Sequence, residues 1–360
     1  MTKLAATALL ETGPIPRAHA TGRRGNKGGT GHEKGRSGVK SRLSGWRVPR
    51  AIAATDYVDG LPGQQGTFAP DLAARLQGLS AYLDAHETTP SGAAQPAAYA
   101  SAVGPPLGTG GTTFYDDNAW VTLDLLYAYK LTGNKAALTT AENEFHYVVS
   151  GWDTTTTDAC PGGVFWEDTA GSPRNTVSNG PNAEAGLLIY QATGDNYYLT
   201  WAEQMYNWVR TCLLAPSGMY YDHLDSAGTV NTALWSYNQG TMIGAGVLLY
   251  DITGQSSYLQ QATQTANASV QYYGSNNELY QQPDVFNTIF FRNLFALAQV
   301  DHNSAYQALA ASYANTAWAQ DRQVTGLFTD PDPNGGESLV NQTAPMAELY
   351  ALLGGSPPSG

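Results

Sequence analysis

Two adjacent carboxylates, Asp116 and Asp117, stand in the run Tyr115-Asp116-Asp117-Asn118-Ala119-Trp120, just ahead of an apolar stretch. An Asp in that place is an ordinary helix N-cap, and a cap is one reading of the pair. One carboxylate suffices for a cap, however, and a second beside it adds like-charge repulsion. Hydrolysis of a glycosidic bond gives such a pair a use. It takes one ionised and one protonated carboxyl group, ~5–5.5 Å apart when configuration is retained and ~6.5–9.5 Å when it is inverted. Consecutive Cα atoms lie ~3.8 Å apart, so neighbouring side chains reach the shorter separation. Their repulsion also drives the two pKa values apart, leaving one group charged and one neutral near pH 7.

The elements that must hold this pair follow from an internal repeat. Thr132-Gly133, Thr193-Gly194 and Thr253-Gly254 recur at spacings of 61 and 60 residues. Counted from each Gly, position −4 is Tyr129, Tyr190 and Tyr250, position +5 is Leu138, Leu199 and Leu259, and position +8 is Ala141, Ala202 and Ala262. A weaker fourth copy runs through Leu294, Leu297, Asp301 and Tyr306, and a partial one ends at Gly354. Each unit reads as a helical hairpin. The first helix is apolar all round (Ala119–Leu131, Ala185–Ala192, Gly244–Ile252) and stops at Gly; the second is amphipathic, with Leu138, Ala141, Phe145 and Val148 on one face. Stacked hairpins with buried inner helices share a core. Residues 51–354 suffice for about six hairpins of ~50 residues each, so the expected fold is all-α, an (α/α)6 toroid, with an open solenoid as competitor.

In a closed ring the inner helices run parallel and their N-termini surround one mouth. Positions −16 and −15 are Asp117 and Asn118, Ser178 and Asn179, and Asn238 and Gln239. Asn179, Tyr237, Asn238 and Gln239 are therefore candidate hydrogen-bond partners for substrate at the rim, although each could equally cap a helix. Asp222, in Tyr221-Asp222-His223, could bind sugar hydroxyls or close an Asx-turn. Trp166, after a Gly-Gly pair, could stack on a pyranose face or anchor a loop. Glu184 falls inside the second inner helix and reads as a member of a buried network.

Charge is uneven. Residues 1–50 carry 11 of the 18 Lys and Arg against two acids, so the remaining chain has 7 basic and 28 acidic residues. A nucleic-acid partner is not expected of such a body, because phosphate backbones require clustered cations. No apolar run approaches the ~20 residues of a membrane span. A polar surface poor in charge suits a secreted protein that handles neutral polymers. Cys160 and Cys212 could form one disulfide or remain free. The six His show no metal-ligand spacing, and no phosphate-binding Gly loop or G-x-S-x-G elbow is present, so no metal or cofactor is expected. Residues 1–50, Gly- and Arg-rich, read as a disordered basic segment whose start resembles a degraded signal peptide; residues 355–360 read as a linker stub.

YDDNAW, with GGVFWE (Gly162–Glu167), SNGPNAEAG (Ser178–Gly186), YYDHLD (Tyr220–Asp225) and WSYNQGTMIGAG (Trp235–Gly246), resembles the bacterial α-1,6-mannanases of glycoside hydrolase family 76. The likeness runs in order from Ala51 to Gly354. It implies an (α/α)6 barrel, a retaining mechanism, no metal, and endo-attack on α-1,6-linked mannan, with Asp116 as nucleophile and Asp117 as general acid/base. A monomer secreted to act on α-mannan is the corresponding expectation. Two other readings compete with it: a transglycosylase acting on mannosylated glycans, and a non-catalytic helical-repeat protein that binds a glycan.

Overall fold

The structure is a computed structural model that describes residues 114–322, 328–329, 345–346, 348–349 and 352–353. The basic segment 1–50, residues 51–113 and the stub 355–360 lie outside the described residues. Eight α-helices are described, paired into four hairpins: α1 (Tyr115–Thr132) with α2 (Lys135–Ser150), α3 (Thr176–Thr193) with α4 (Asn196–Cys212), α5 (Ser236–Thr253) with α6 (Ser256–Ser275), and α7 (Asp284–Asp301) with α8 (Ala305–Gln320).

Each hairpin turn is built from the repeat. Gly133, Gly194 and Gly254 adopt the left-handed conformation (φ 68°, 75° and 73°), and each N–H closes the inner helix on the Tyr carbonyl four residues earlier. In the fourth hairpin His302 takes the same place at φ 57°, bonding the Ala298 carbonyl. Asn134 and Asp195 then cap the outer helices, accepting from the N–H of Ala136 and Tyr197. The inner helices α1, α3, α5 and α7 pack successively on one another, and each outer helix packs on its own inner partner. The expected face of α2 is the buried one: Ala141, Phe145 and Val148 are fully enclosed. Gly240 lets the backbones of α5 and α7 meet, since a Cβ there would stand 2.6 Å from the Phe290 Cα.

A buried charge cluster marks the axis. The Arg292 guanidinium on α7 lies 3.3 Å from Glu348 and 5.6 Å over the ring of Tyr127 on α1. It also feels Glu184 of α3 and Asp124 of α1. Helices far apart in sequence therefore face one another across a common centre, as a ring requires and an open solenoid does not. Burial pushes the carboxyls of both Glu184 and Glu348 up to about 7, against the opposing pull of Arg292.

The loops from each outer helix to the next inner helix fold over one end of the ring. Arg174, fully buried, ties the first of them together. Its guanidinium meets Asp153 at 2.8 Å and the carbonyls of Ala159, Cys160, Gly162 and Asp225 at 2.9–3.2 Å. A disulfide joins Cys160 to Cys212 at the end of α4, with Cα atoms 6.1 Å apart. A three-stranded antiparallel sheet, β1 (Arg174–Asn175), β2 (His223–Leu224) and β3 (Val230–Asn231), links this loop to the next.

Two outcomes test these features. The bridge spans 52 residues, so replacing both cysteines with Ser should lower unfolding stability by about 4 kcal/mol, measured by denaturant titration. Glu184 and Glu348 bind protons more tightly folded than unfolded, where the ordinary value of 4.5 applies. Stability therefore grows as pH falls from about 7 toward 4.5 and is lost on the way back up. Glu184→Gln should shrink the difference in melting temperature between acidic and neutral solution; an unaltered difference would show that Glu184 does not titrate in this range.

Candidate functional site

Helix α1 begins one residue before the paired carboxylates. Its N-cap is Phe114, which makes no side-chain cap bond, and Tyr115, Asp116 and Asp117 occupy the first turn. The capping reading of the pair is thereby removed: neither Asp is the cap residue. Both sit instead where the helix presents unpaired N–H groups and positive potential.

Asp116 is 8% exposed, whereas Asp117 is half-buried and more open. Burial, then the adjacent charge of Asp117, raises the Asp116 carboxyl from 3.8 to about 7. Hydrogen bonds from the Trp166 indole and from backbone N–H groups of the first turn oppose that rise. Asp116 can therefore hold a proton close to neutrality. Trp166 reaches Asp116 because its loop is fixed to α1: the Tyr115 N–H donates to the Trp166 carbonyl at 2.9 Å, and the rings of Phe114 and Trp166 lie 4.8 Å apart.

Tyr237, in the first turn of α5, is buried, and its phenol is held far into the neutral form by burial and by the charges of Asp222 and Asp116. Asp116 and Asp222 thus both lie close enough to Tyr237 to act on it. Asp222 hydrogen-bonds His223 at 2.9 Å, and its backbone joins the loop to α3 and β3: Thr176 N–H donates to its carbonyl, and its own N–H donates to Asn231. Tyr237 packs edge-on against Phe286 at 4.1 Å and Trp120 at 6.4 Å. Carboxylates and aromatic rings thus lie side by side here, a combination that can protonate one oxygen, expose a second carboxylate to an electrophilic carbon, and cover the apolar face of a sugar ring.

The rim candidates divide. Asn179 and Gln239 are corrections, because both are fully buried and their amides are spent on loop backbone. Asn179 accepts from Val164 N–H at 2.8 Å and donates to the carbonyls of Val164 and Asn175. Gln239 accepts from Tyr220 N–H at 2.7 Å and donates to the carbonyls of Tyr220 and Trp235. Asn238 is equally enclosed, and its amide atoms meet no hydrogen-bond partner among the described residues. Trp166 is half-buried, with its ring tilted against that of Phe114 at 4.8 Å.

Sequence reasoning overlooked Phe286 and His223. Phe286 stands sixteen residues before His302, the position that Asp117, Ser178 and Asn238 occupy before their glycines. Its register was hidden because the fourth turn lacks the Thr-Gly signature.

The profile of Glycosyl hydrolase family 76 matches residues 96–344, well over half of the chain. A mannan endo-1,6-alpha-mannosidase DCW1 of Candida glabrata is 31% identical over 158 residues, covering 40% of this chain and 34% of that protein. Its namesake in Saccharomyces cerevisiae is 30% identical over 143 residues, with 37% and 31% covered. The matching segment thus spans about a third of the length of these curated relatives. Among solved structures, the glycoside hydrolase family 76 mannosidase Bt3792 of Bacteroides thetaiotaomicron superposes with a TM-score of 0.68 at 25% identity, covering 85% of this chain and 97% of that one. The α-1,6-mannanase GH76A of Salegentibacter, in an inactive variant with two aspartates replaced and bound to α-1,6-mannotetrose, gives 0.68 at 23% identity, covering 86% and 99%. The four described hairpins are accordingly part of an (α/α)6 barrel. With the profile spanning the paired carboxylates, the tryptophan loop and all four hairpins, this chain belongs to glycoside hydrolase family 76.

Proposed function

We propose that the protein is a retaining endo-α-1,6-mannanase in which Asp116 is the nucleophile and Asp117 the general acid/base. The observation that carries this reading is a pair of adjacent carboxyls, one enclosed and one more exposed, in the first turn of a helix, and the order of their roles is taken from family 76. In the first step the Asp116 carboxylate attacks the anomeric carbon, while Asp117 gives its proton to the departing glycosidic oxygen. The outgoing chain leaves as an alcohol, and the sugar remains as an ester on Asp116. In the second step Asp117, now a carboxylate, takes a proton from water as that water attacks the anomeric carbon, and Asp116 departs ionised.

Placement supports this division of labour. Asp116 is held by the Trp166 indole and by helix N–H groups, which favour a fixed, ionised carboxylate. Asp117 is the more solvent-accessible and can exchange its proton with water between steps. Asp222, paired with His223, faces the same field and is a hydroxyl ligand; Tyr237 and Phe286 form an apolar wall. The polymer suggested by the fungal and bacterial relatives is α-1,6-linked mannan, which is neutral and suits a body with few cations. A disulfide and a charge-poor surface are consistent with action outside the cytoplasm, and no described helix is long and apolar enough to cross a membrane.

Asp116→Asn and Asp117→Asn should each lower kcat/KM on linear α-1,6-mannan by about 10²–10⁴-fold with the melting temperature preserved. Chromatography of the wild-type digest should give short manno-oligosaccharides of retained anomeric configuration. Near-normal turnover in both variants would end the catalytic assignment, mannose alone would replace endo- by exo-attack, and dominant transfer products would make the enzyme a transglycosylase.

A further inference from the structure

Registering the inner helices on Gly133, Gly194, Gly254 and His302 places a side-chain amide at the same point of each: Asn118, Asn179, Gln239 and Asn287. Every one of them donates to a main-chain carbonyl at the entry to its own helix, from Phe114, Asn175, Trp235 and Gln282 respectively. Asn287 also reaches the Leu279 carbonyl at 2.7 Å, and two of the four clasp a single loop residue at both its polar atoms. Asn179 binds both main-chain polar atoms of Val164, at 2.8 and 3.2 Å, and Gln239 binds both of Tyr220, at 2.7 and 2.9 Å. An amide that accepts from an N–H and donates to the C=O of one residue acts as a single rung of a strand ladder. It fixes the height and the rotation of that residue.

Two residues after Val164 comes Trp166, packed against Phe114 and close enough to Asp116 to favour its ionised form; two residues after Tyr220 comes Asp222. The Trp166 backbone is fastened onward to Pro173 and to Tyr115, so a shift at Val164 passes to α1 itself. We propose that Asn179 and Gln239 are positioning residues with separate outputs, Asn179 setting Trp166 against Asp116 and Gln239 setting Asp222 toward the sugar. The inference rests on the catalytic reading above. The charged and titratable groups that share Asp116's field are Asp117 and Tyr237, with Asp222 behind Tyr237.

The separate outputs make the idea testable, because two equally buried amides should fail differently. Steady-state kinetics against pH, with α-1,6-manno-oligosaccharides and the full chain, should compare Asn179→Ala, Gln239→Ala, Trp166→Phe and the double variant of the first and third. Asn179→Ala should cut kcat about tenfold or more with KM within about twofold. It should also move the acidic limb of kcat/KM upward by about half a unit, since the nucleophile must be ionised to attack and Asp116 without the indole beside it holds its proton more tightly. Trp166→Phe should reproduce that shift, and the double variant should add little. Gln239→Ala should raise KM about tenfold and leave the limb in place. Asn179→Gln and Gln239→Asn, which return an amide, should recover part of each effect.

Equal losses that track the folded fraction, with neither a moved limb nor a KM split, would overturn the proposal and leave both amides as scaffolding. If either alanine variant fails to fold, the amide exchanges carry the same comparison at smaller amplitude, and the absence of a split in them is equally decisive. Activity persisting in Asp116→Asn would sink the catalytic reading, whereas an inactive Asp116→Asn with an unmoved limb in Asn179→Ala would sink the positioning alone.

Discussion

A loop that dips into the mouth of a helix ring takes its backbone N–H and C=O groups away from water, and each one left unpaired costs about 1–3 kcal/mol. These loops have too little regular structure to satisfy themselves, since each strand of the small sheet has only two residues. The ring meets the demand from its own inner helices. Asn179, Gln239 and Asn287 supply donors and acceptors at one level, and Arg174 closes four carbonyls around a single guanidinium. The loops can then be rigid where they carry Trp166 and Asp222, and a rigid loop can hold an indole against a carboxylate. The constraint that stabilises the fold also aligns the site.

The same enclosure sets the electrostatics. At the mouth, burial and a neighbouring charge raise Asp116, while the helix N-terminus and Trp166 keep its ionised form accessible. Deeper along the axis, Glu184, Glu348 and Asp124 surround one Arg292. There the cation restrains a rise that burial drives. Both sites show carboxyls moved into the neutral range by desolvation, but the upper one has a second, half-buried carboxylate, Asp117, next to the enclosed one, and the lower one has a cation.

Local pattern carried much of the architecture. The Thr-Gly repeat announced three of the hairpin turns, because a left-handed residue that must end a helix favours Gly over anything with a Cβ. It did not announce the fourth, where His302 adopts that conformation unaided by composition. The inner helices also extend N-terminal to the apolar runs Ala185–Ala192 and Gly244–Ile252, through stretches that contain Gly and Pro; in the ring, Pro181 sits within α3 and Gly240 lets α5 and α7 approach. Tertiary packing outweighed propensity where neighbouring helices lie close.

What the chain's order of residues determined on its own was the set of turns, the apolar and amphipathic faces, and the presence of two neighbouring carboxyls just ahead of an inner helix. These are local matters, settled by φ, by side-chain size and by spacing. What only the folded ring decided was which polar side chains meet the cavity. Asn179 and Gln239 occupy the register of Asn118 next to the carboxylates, yet their amides turn outward to pair with loops more than ten residues away. Hydrogen-bond partners drawn from distant segments, and the burial that raises Asp116, arise only when those segments are brought together, and no periodicity within one helix encodes them.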